Sequence, residues 1–207
     1  EAPEVTEIPG EKEDVTTVFD DVYDDWYTDY VQFVYDNNLM TGIKGTKHFS
    51  PDANITKAQV AQVLYNMESQ PEVKDWSVFD NLKDVYSGEW YANAVAWAYN
   101  NNIVTGDLNT KEFSPNADVT REQLALMMYR YSVYKKYDVT VTNVLEGLEN
   151  IEKTSDWALE AVKWAVSKEI IGGIDRNGTK DLAPQSFATR AQMATILKRF
   201  CETNHLD

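Results

Sequence analysis

Ile55-Thr56-Lys57-Ala58-Gln59-Val60 is the first of three copies of one short pattern, followed by Val119-Thr120-Arg121-Glu122-Gln123-Leu124 and Ala188-Thr189-Arg190-Ala191-Gln192-Met193. Each copy reads Thr, a basic residue, a small or acidic residue, Gln and an apolar residue. Thr followed three positions later by Gln is a capping box, in which the hydroxyl accepts one backbone N–H and the Gln side chain binds the N–H of the Thr. We therefore predict that a helix begins at each copy.

The basic residue of each copy falls at the first helical position, where the helix dipole disfavours a cation by about 0.3–1 kcal/mol. Three copies nevertheless keep it, as Lys57, Arg121 and Arg190, in a chain of net charge −15. Two interpretations stay open. The cation and the helix N-terminus together form a place for an anion, or each cation pairs with a carboxylate of a neighbouring repeat.

The whole repeat is longer than this pattern. Each copy holds an equivalent Trp, and these lie 64 and 67 residues apart, at Trp26, Trp90 and Trp157; a Gly follows each Trp by 16 residues, at Gly42, Gly106 and Gly173. Apolar residues after each Trp recur with helical spacing, so each copy is predicted to be helix, loop and capped helix. We place the repeats at 18–69, 80–133 and 145–203.

The repeats predict a mainly all-α fold. One helix pair cannot bury its own apolar face, so we expect three copies to form one compact pseudo-threefold unit around a shared helical bundle. A hydrophobic content of 43% is sufficient for a real core. Residues 1–17 are acidic and lack a periodic apolar pattern, so we expect a disordered linker there. Since the chain starts at Glu1 without a Met, we interpret it as a fragment of a larger or processed protein.

The tryptophans at the starts of the first helices have two interpretations. Large aromatic residues dominate core energetics, which favours burial of Trp26, Trp90 and Trp157. The alternative is that they are exposed platforms for a ligand. Tyr27 and Tyr91 follow directly, and adjacent residues on a helix face different directions, so one member of each pair can be exposed.

Composition excludes several functions. The charge of −15 argues against binding to nucleic acid or to anionic membranes. The single cysteine, Cys201, cannot form an intramolecular disulfide and disfavours a Cys-based metal site. No catalytic sequence motif is present and only two histidines occur, so we predict a protein that is not an enzyme and that needs no cofactor or metal. Calcium is weakly supported, because Lys57 stands where the loop starting at Asp52 would need a Gly.

Together the motifs resemble the S-layer homology domain. The resemblance rests on Phe/Leu-x-Asp-Val (Phe19–Val22 and Leu82–Val85), then the Trp, the Gly, Phe-Ser-Pro and the Thr-basic pattern. It covers about residues 18–201. The resemblance implies a three-pronged spindle around a central helical bundle, with binding grooves between neighbouring repeats.

The resemblance also implies a function. Triplets of this kind anchor exported proteins non-covalently to the Gram-positive cell wall, so we expect an extracellular, cell-surface location. The usual ligand is a secondary cell wall polysaccharide that often carries pyruvate ketals. Carried over by position, the ligand-binding residues are Lys57, Arg121, Arg190, Gly42, Gly106, Gly173, Trp26, Trp90, Trp157, Thr56, Thr120 and Thr189. We expect the isolated fragment to be a monomer.

The chain departs from the family pattern in two places that bear on binding. Lys57 replaces the usual Arg and cannot form a planar bidentate contact. The third copy has Gly172-Gly173 and a longer loop, so we expect its groove to differ or to be silent, and we expect the Arg121 site to be the best formed. Two other functions stay open: docking to another surface protein, and binding to modified peptidoglycan.

Overall fold

The computed structural model describes residues 12–142 and 148–206. Within these residues eight α-helices span Val15–Val18 (α1), Thr28–Asp36 (α2), Lys57–Met67 (α3), Val78–Asn81 (α4), Ala92–Asn100 (α5), Arg121–Lys135 (α6), Leu159–Ser167 (α7) and Arg190–Thr203 (α8). Three short strands, Leu148–Glu149 (β1), Ile174–Arg176 (β2) and Thr179–Asp181 (β3), form a small sheet in the third repeat. The prediction of a mainly helical protein is confirmed.

All three predicted capping boxes are present. The Oγ1 atoms of Thr56, Thr120 and Thr189 accept the N–H three residues on, and the Gln side chain of each box accepts the N–H of its own Thr. The donor–acceptor distances within the boxes lie between 3.0 and 3.3 Å. The helices α3, α6 and α8 therefore begin at the basic residue of each repeat.

The residues just before the capping boxes join the three repeats. Ile55 N–H donates to the Ala188 carbonyl, Ala188 N–H to the Val119 carbonyl, and Val119 N–H to the Ile55 carbonyl, each at 2.9 Å. These three residues are fully buried. The hydrogen bonds form a closed ring, so each repeat completes the backbone pairing of the other two.

The helices pack in the same cyclic order. The capped helix α3 packs on α5 of the second repeat, α6 packs on α7 of the third, and α8 packs on α2 of the first. One continuous core runs through these contacts, with Leu64, Trp97, Met128, Trp164 and Phe200 among its buried members. Each first helix thus buries its apolar face against the preceding repeat.

The segment before each first helix holds the Phe-Ser-Pro loop of its own repeat. Asp21 accepts the N–H groups of Phe49 and Ser50 at 2.7 and 2.8 Å, and Asp84 does the same in the second repeat. Ser50 has a φ of 57°, a left-handed conformation that the two hydrogen bonds to Asp21 stabilise.

The third repeat holds its corresponding loop through different side chains. Asn150 stands where the other repeats have the Asp, and its Nδ2 donates to Asp181, which also accepts the Ala183 N–H. The longer loop forms the antiparallel pair β2–β3, and β1 joins β3 in parallel. The small sheet thus arises where the loop is two residues longer.

Two expectations need correction. The part of the predicted linker at 12–17 is folded, because Val15 begins α1 and is completely buried, and its N–H donates to the Gln32 side chain. The remainder of the predicted linker, 1–11, lies outside the described residues. The interpretation that favoured burial of the tryptophans at the repeat starts is also wrong, because Trp26, Trp90 and Trp157 are 54–57% exposed.

Candidate functional site

The basic residues at the helix starts connect each repeat to the next. Lys57 Nζ donates to the Phe113 carbonyl at 3.0 Å, and Arg190 donates from Nε and Nη2 to the carbonyls of Phe49 and Thr41 at 2.7 and 2.8 Å. The first repeat thus reaches the loop of the second, and the third reaches the loop of the first.

Arg121 completes the cycle from the second repeat to the third. Its Nε donates to the Leu182 carbonyl at 2.9 Å, and its Nη2 donates to the Gly172 carbonyl. Only 5% of Arg121 is exposed, and the same is true of Arg190. The cations bind carbonyls of the neighbouring repeat, and the ion pairs formed among the described residues do not include them, so the structure does not support pairing with a carboxylate. Contact of these cations with an anion stays a prediction.

The helix N-termini are also occupied by protein groups. The N–H groups of Arg121 and Glu122 donate to the carbonyls of Ser186 and Pro184 at 2.9 and 2.8 Å, and equivalent bonds start α3 and α8. The capping box takes the remaining donors. An anion at these sites would have to compete with existing backbone hydrogen bonds, so the helix N-terminus itself does not provide the site.

Burial and nearby carboxylates shift the pKa values of these cations in opposite directions. Burial lowers the pKa of Arg121 to about 10, and Asp181 opposes that shift. Burial also lowers the pKa of Lys57 and of Arg190, with Asp84 and Asp21 as the opposing charges. Each acid belongs to the repeat whose carbonyl the cation binds.

Two grooves lie beside these cations, each lined by residues of all three repeats. Groove A has a volume of about 500 Å³ and is lined by Lys57 of the first repeat, Gly106 and Arg130 of the second and Trp157 of the third. Trp157, which lines this groove, is 54% exposed.

Groove B is the cyclic equivalent of groove A and has a volume of about 510 Å³. Arg121 of the second repeat, Gly173 and Arg199 of the third and Trp26 of the first line it. The Arg121 site and the Gly172-Gly173 loop therefore belong to one groove. The sequence predicts two sites, of which the Arg121 site is the better formed.

Arg190 lies at the third equivalent position, interface C. There it binds the Thr41 carbonyl beside Gly42, and its guanidinium lies over the Phe49 ring at 4.8 Å from the centroid. By the same cyclic relation, Trp90 is the tryptophan of this interface, and it is 57% exposed.

The glycines are required for close packing rather than for an unusual φ. A Cβ on Gly106 would lie 2.3 Å from Leu82 Cδ2, and one on Gly42 would lie 2.6 Å from Phe19 Cε1. A Cβ on Gly173 would meet Leu148 and Lys180 within 2.9 Å. The glycines let the loop lie against the segment before the first helix, which brings loop backbone to the groove.

The exposed tryptophans owe their position to where the first helices begin. Helix α2 starts at Thr28 and α5 at Ala92, two residues after each Trp, so Tyr27 and Tyr91 point inward instead. Trp26 and Trp90 contact these tyrosines edge-on at 5.5 and 5.4 Å between ring centroids. The prediction that one member of each Trp-Tyr pair is exposed is confirmed.

The threonines named as ligand-binding residues act as helix caps. Among the described residues that line grooves A and B, the Gln of the box occurs but the Thr does not. Contact of Thr56, Thr120 or Thr189 with a ligand stays a prediction. In contrast, the prediction from sequence does not identify Arg130 and Arg199 as groove residues. The pattern that indicates them is an Arg nine residues after Arg121 and another nine residues after Arg190.

Other kinds of site find no support in the described part of the chain. Among these residues no cluster of three or more His, Cys, Asp or Glu side chains is arranged to hold a metal ion. In the same residues, no helix combines the length and apolar character needed to cross a membrane.

Comparison with known proteins identifies the family. The S-layer homology domain matches at residues 18–61, 81–125 and 151–194, and the chain belongs to this family. It is similar to an amylopullulanase of Thermoanaerobacterium thermosulfurigenes (30% identity over 183 residues) and to the exoglucanase XynX of Acetivibrio thermocellus (29% over 194). A third relative is the surface-layer 125 kDa protein of Lysinibacillus sphaericus (26% over 175).

These matches cover most of this chain but little of each relative. They include 86%, 92% and 83% of the chain, and 9%, 17% and 14% of the amylopullulanase, the exoglucanase and the surface-layer protein. An amylopullulanase, an exoglucanase and a surface-layer protein thus each contain a region similar to this chain, which spans less than a fifth of their length.

Proposed function

We propose that this chain anchors an exported protein non-covalently to the cell wall of a Gram-positive bacterium. The ligand is an anionic secondary cell wall polysaccharide, bound in the grooves between repeats. The observation that carries the proposal is the composition of grooves A and B, where a cation, a glycine loop and an exposed tryptophan from three different repeats come together.

The chemistry of these grooves suits a charged sugar. One face of a sugar ring is apolar and packs on an aromatic ring such as Trp26 or Trp157, while its hydroxyl groups require hydrogen-bonding partners. Loop backbone and the groove cations supply such partners, and the cations favour a carboxylate. A pyruvate ketal places a small carboxylate on a sugar ring, so a pyruvylated polysaccharide is the ligand we propose.

The relatives support anchoring rather than catalysis. An amylopullulanase, an exoglucanase and a surface-layer protein carry similar regions, and attachment to the cell surface is a role that all three can use. We propose that this chain is a binding module within a longer protein. We further propose that its cyclic arrangement of repeats is the three-pronged spindle that the family resemblance implies, and that it acts as a monomer.

Sedimentation with cell walls tests the proposal. Purified walls of the host bacterium should carry the protein into the pellet, and walls from which hydrofluoric acid has removed the secondary polysaccharide should leave it in solution. Equal sedimentation with stripped walls would point to peptidoglycan as the ligand. Failure to sediment with either would favour a protein partner and would contradict the proposal.

A further inference from the structure

A second arginine distinguishes two of the three inter-repeat positions. Arg130 lines groove A and Arg199 lines groove B, each on the capped helix of the repeat that supplies the glycine loop. The equivalent residue of the first repeat, nine residues after Lys57, is Asn66. The three positions therefore differ in charge although their backbones are related.

Arg130 and Arg199, the second arginines, make weaker contacts with other protein groups than the cations at the helix starts do. Arg130 Nη1 lies 3.5 Å from Thr105 Oγ1, a distance at which a hydrogen bond is weak. Arg199 Nη1 lies close to Gly172, 3.4 Å from where a Cβ would be. Neither arginine forms an ion pair with a carboxylate of the described residues.

A partly buried arginine such as Arg130 gains from an anionic partner. Both second arginines are partly buried, and burial lowers the pKa of Arg130. Removing a cation from water costs free energy unless a partner compensates it. In a chain with 34 acidic and 19 basic residues, carboxylates to pair with an arginine are plentiful, so an arginine left facing a groove is notable.

Unlike the second arginines, the side chain of Asn66 forms three hydrogen bonds within the protein. Its Nδ2 donates to the Leu39 carbonyl at 3.1 Å, and its Oδ1 accepts from the side chains of Gln62 and Gln70 at 2.9 Å. Arg190, the helix-start cation of interface C, donates to two backbone carbonyls.

We propose that Arg130 and Arg199 are the residues that bind the ligand carboxylate in grooves A and B, and that interface C binds the same ligand much more weakly. This inference rests on the function proposed above and deepens it. The cations at the helix starts hold the repeats together and shape the grooves, while the second arginines supply the free donors. One protein then carries two anionic sugars, not three.

Site-resolved titration tests the proposal. The probe is a methyl glycoside that carries a pyruvyl ketal, with the same glycoside without the ketal as the control ligand. The indole N–H signals of Trp157, Trp26 and Trp90 report groove A, groove B and interface C in a two-dimensional NMR spectrum, after assignment by Trp→Phe variants. We expect saturable shifts for Trp157 and Trp26, and for Trp90 an affinity at least about tenfold weaker.

Substitutions separate the two grooves. Arg130→Gln should weaken binding at Trp157 by about ten- to hundredfold and leave Trp26 unchanged, and Arg199→Gln should do the reverse. Each variant is thus the internal control for the other groove, and Lys163→Gln, an exposed charge that lines neither groove, controls for net charge. Arg130→Lys keeps the charge and should retain part of the affinity.

The outcomes separate this inference from the function on which it rests. Equal binding at all three indoles, or arginine variants that change no affinity by more than about twofold, would overturn the inference and leave sugar binding intact. The absence of any shift in the unmodified protein would overturn both. The dispersion of the amide signals shows whether each variant is folded, and the weak Arg130 contact leads us to expect that it is.

Discussion

At the scale of single residues, the tryptophans at the repeat starts differ most clearly from the expectation, because they are exposed rather than buried. Composition favoured burial of Trp157, yet its ring is 54% exposed on groove A. The later Trp164 is 1% exposed and lies in the core. Which tryptophan is inside depends on where the helix begins relative to it, and that start is determined by packing between repeats rather than by local sequence.

Replacing Trp157 separates binding from stability. Trp157→Ala should weaken binding of the wall polysaccharide at groove A by about 1–2 kcal/mol, because an aromatic contact to the sugar face is lost. The melting temperature should change little, since the ring is mostly exposed. Trp164→Ala is the matched control and should destabilise the protein by about 3–5 kcal/mol. Isothermal calorimetry and thermal unfolding measure the two effects.

Arg121 is the opposite case, since its side chain is internal. In Arg121→Ala, loss of the guanidinium leaves the Leu182 and Gly172 carbonyls without their donor, which should cost about 1–3 kcal/mol of stability. Lys57→Ala, which removes one hydrogen bond from a partly buried side chain, should cost less. Equal melting temperatures for both variants would contradict this ranking.

At the scale of elements, the capped helices were predictable and the loops were not. The starts of α3, α6 and α8 follow from Thr-x-x-Gln, because a capping box depends on only four consecutive residues. The small sheet of the third repeat depends on β3 pairing with β1, which lies about 30 residues earlier. Such pairing leaves no local signal, and neither does the contact between Arg121 and the third repeat.

Removing one cap tests the contribution of a helix start. Thr120→Ala should lower the free energy of unfolding by about 0.5–2 kcal/mol, because the Gln123 N–H loses its acceptor. Thr120→Ser keeps the acceptor and should restore most of that loss. Thr142→Ala, at an exposed position outside the helices, is the control for loss of a Thr. Urea unfolding gives the values, and an unchanged midpoint for Thr120→Ala would argue against the capping box.

At the scale of the whole molecule, the cyclic contacts make the three repeats one structure. The backbone ring of Ile55, Val119 and Ala188 needs a residue from each repeat, and each capped helix packs on the next repeat. The sequence predicted a shared core from the size of one repeat. It did not reveal that the repeated cations join neighbouring repeats, since that depends on which loop each side chain reaches.

Deleting the third repeat tests this dependence. A chain ending at residue 142 loses α7 and α8, so the apolar faces of α6 and α2 are left uncovered. We expect it to lose cooperative thermal unfolding and the near-ultraviolet circular dichroism of fixed aromatic side chains. A two-repeat chain that melts in one sharp transition would show that the repeats fold separately.

The most direct test of the account is whether recognition depends on the ligand's negative charge. Calorimetric titration of the chain with purified wall polysaccharide of its host, before and after mild acid removes the pyruvate, measures this. We predict saturable binding to the intact polymer, and loss of about ten- to hundredfold in affinity once the carboxylates are removed. Equal affinity for both polymers would contradict the account, because the arginines of grooves A and B would then have no part in recognition.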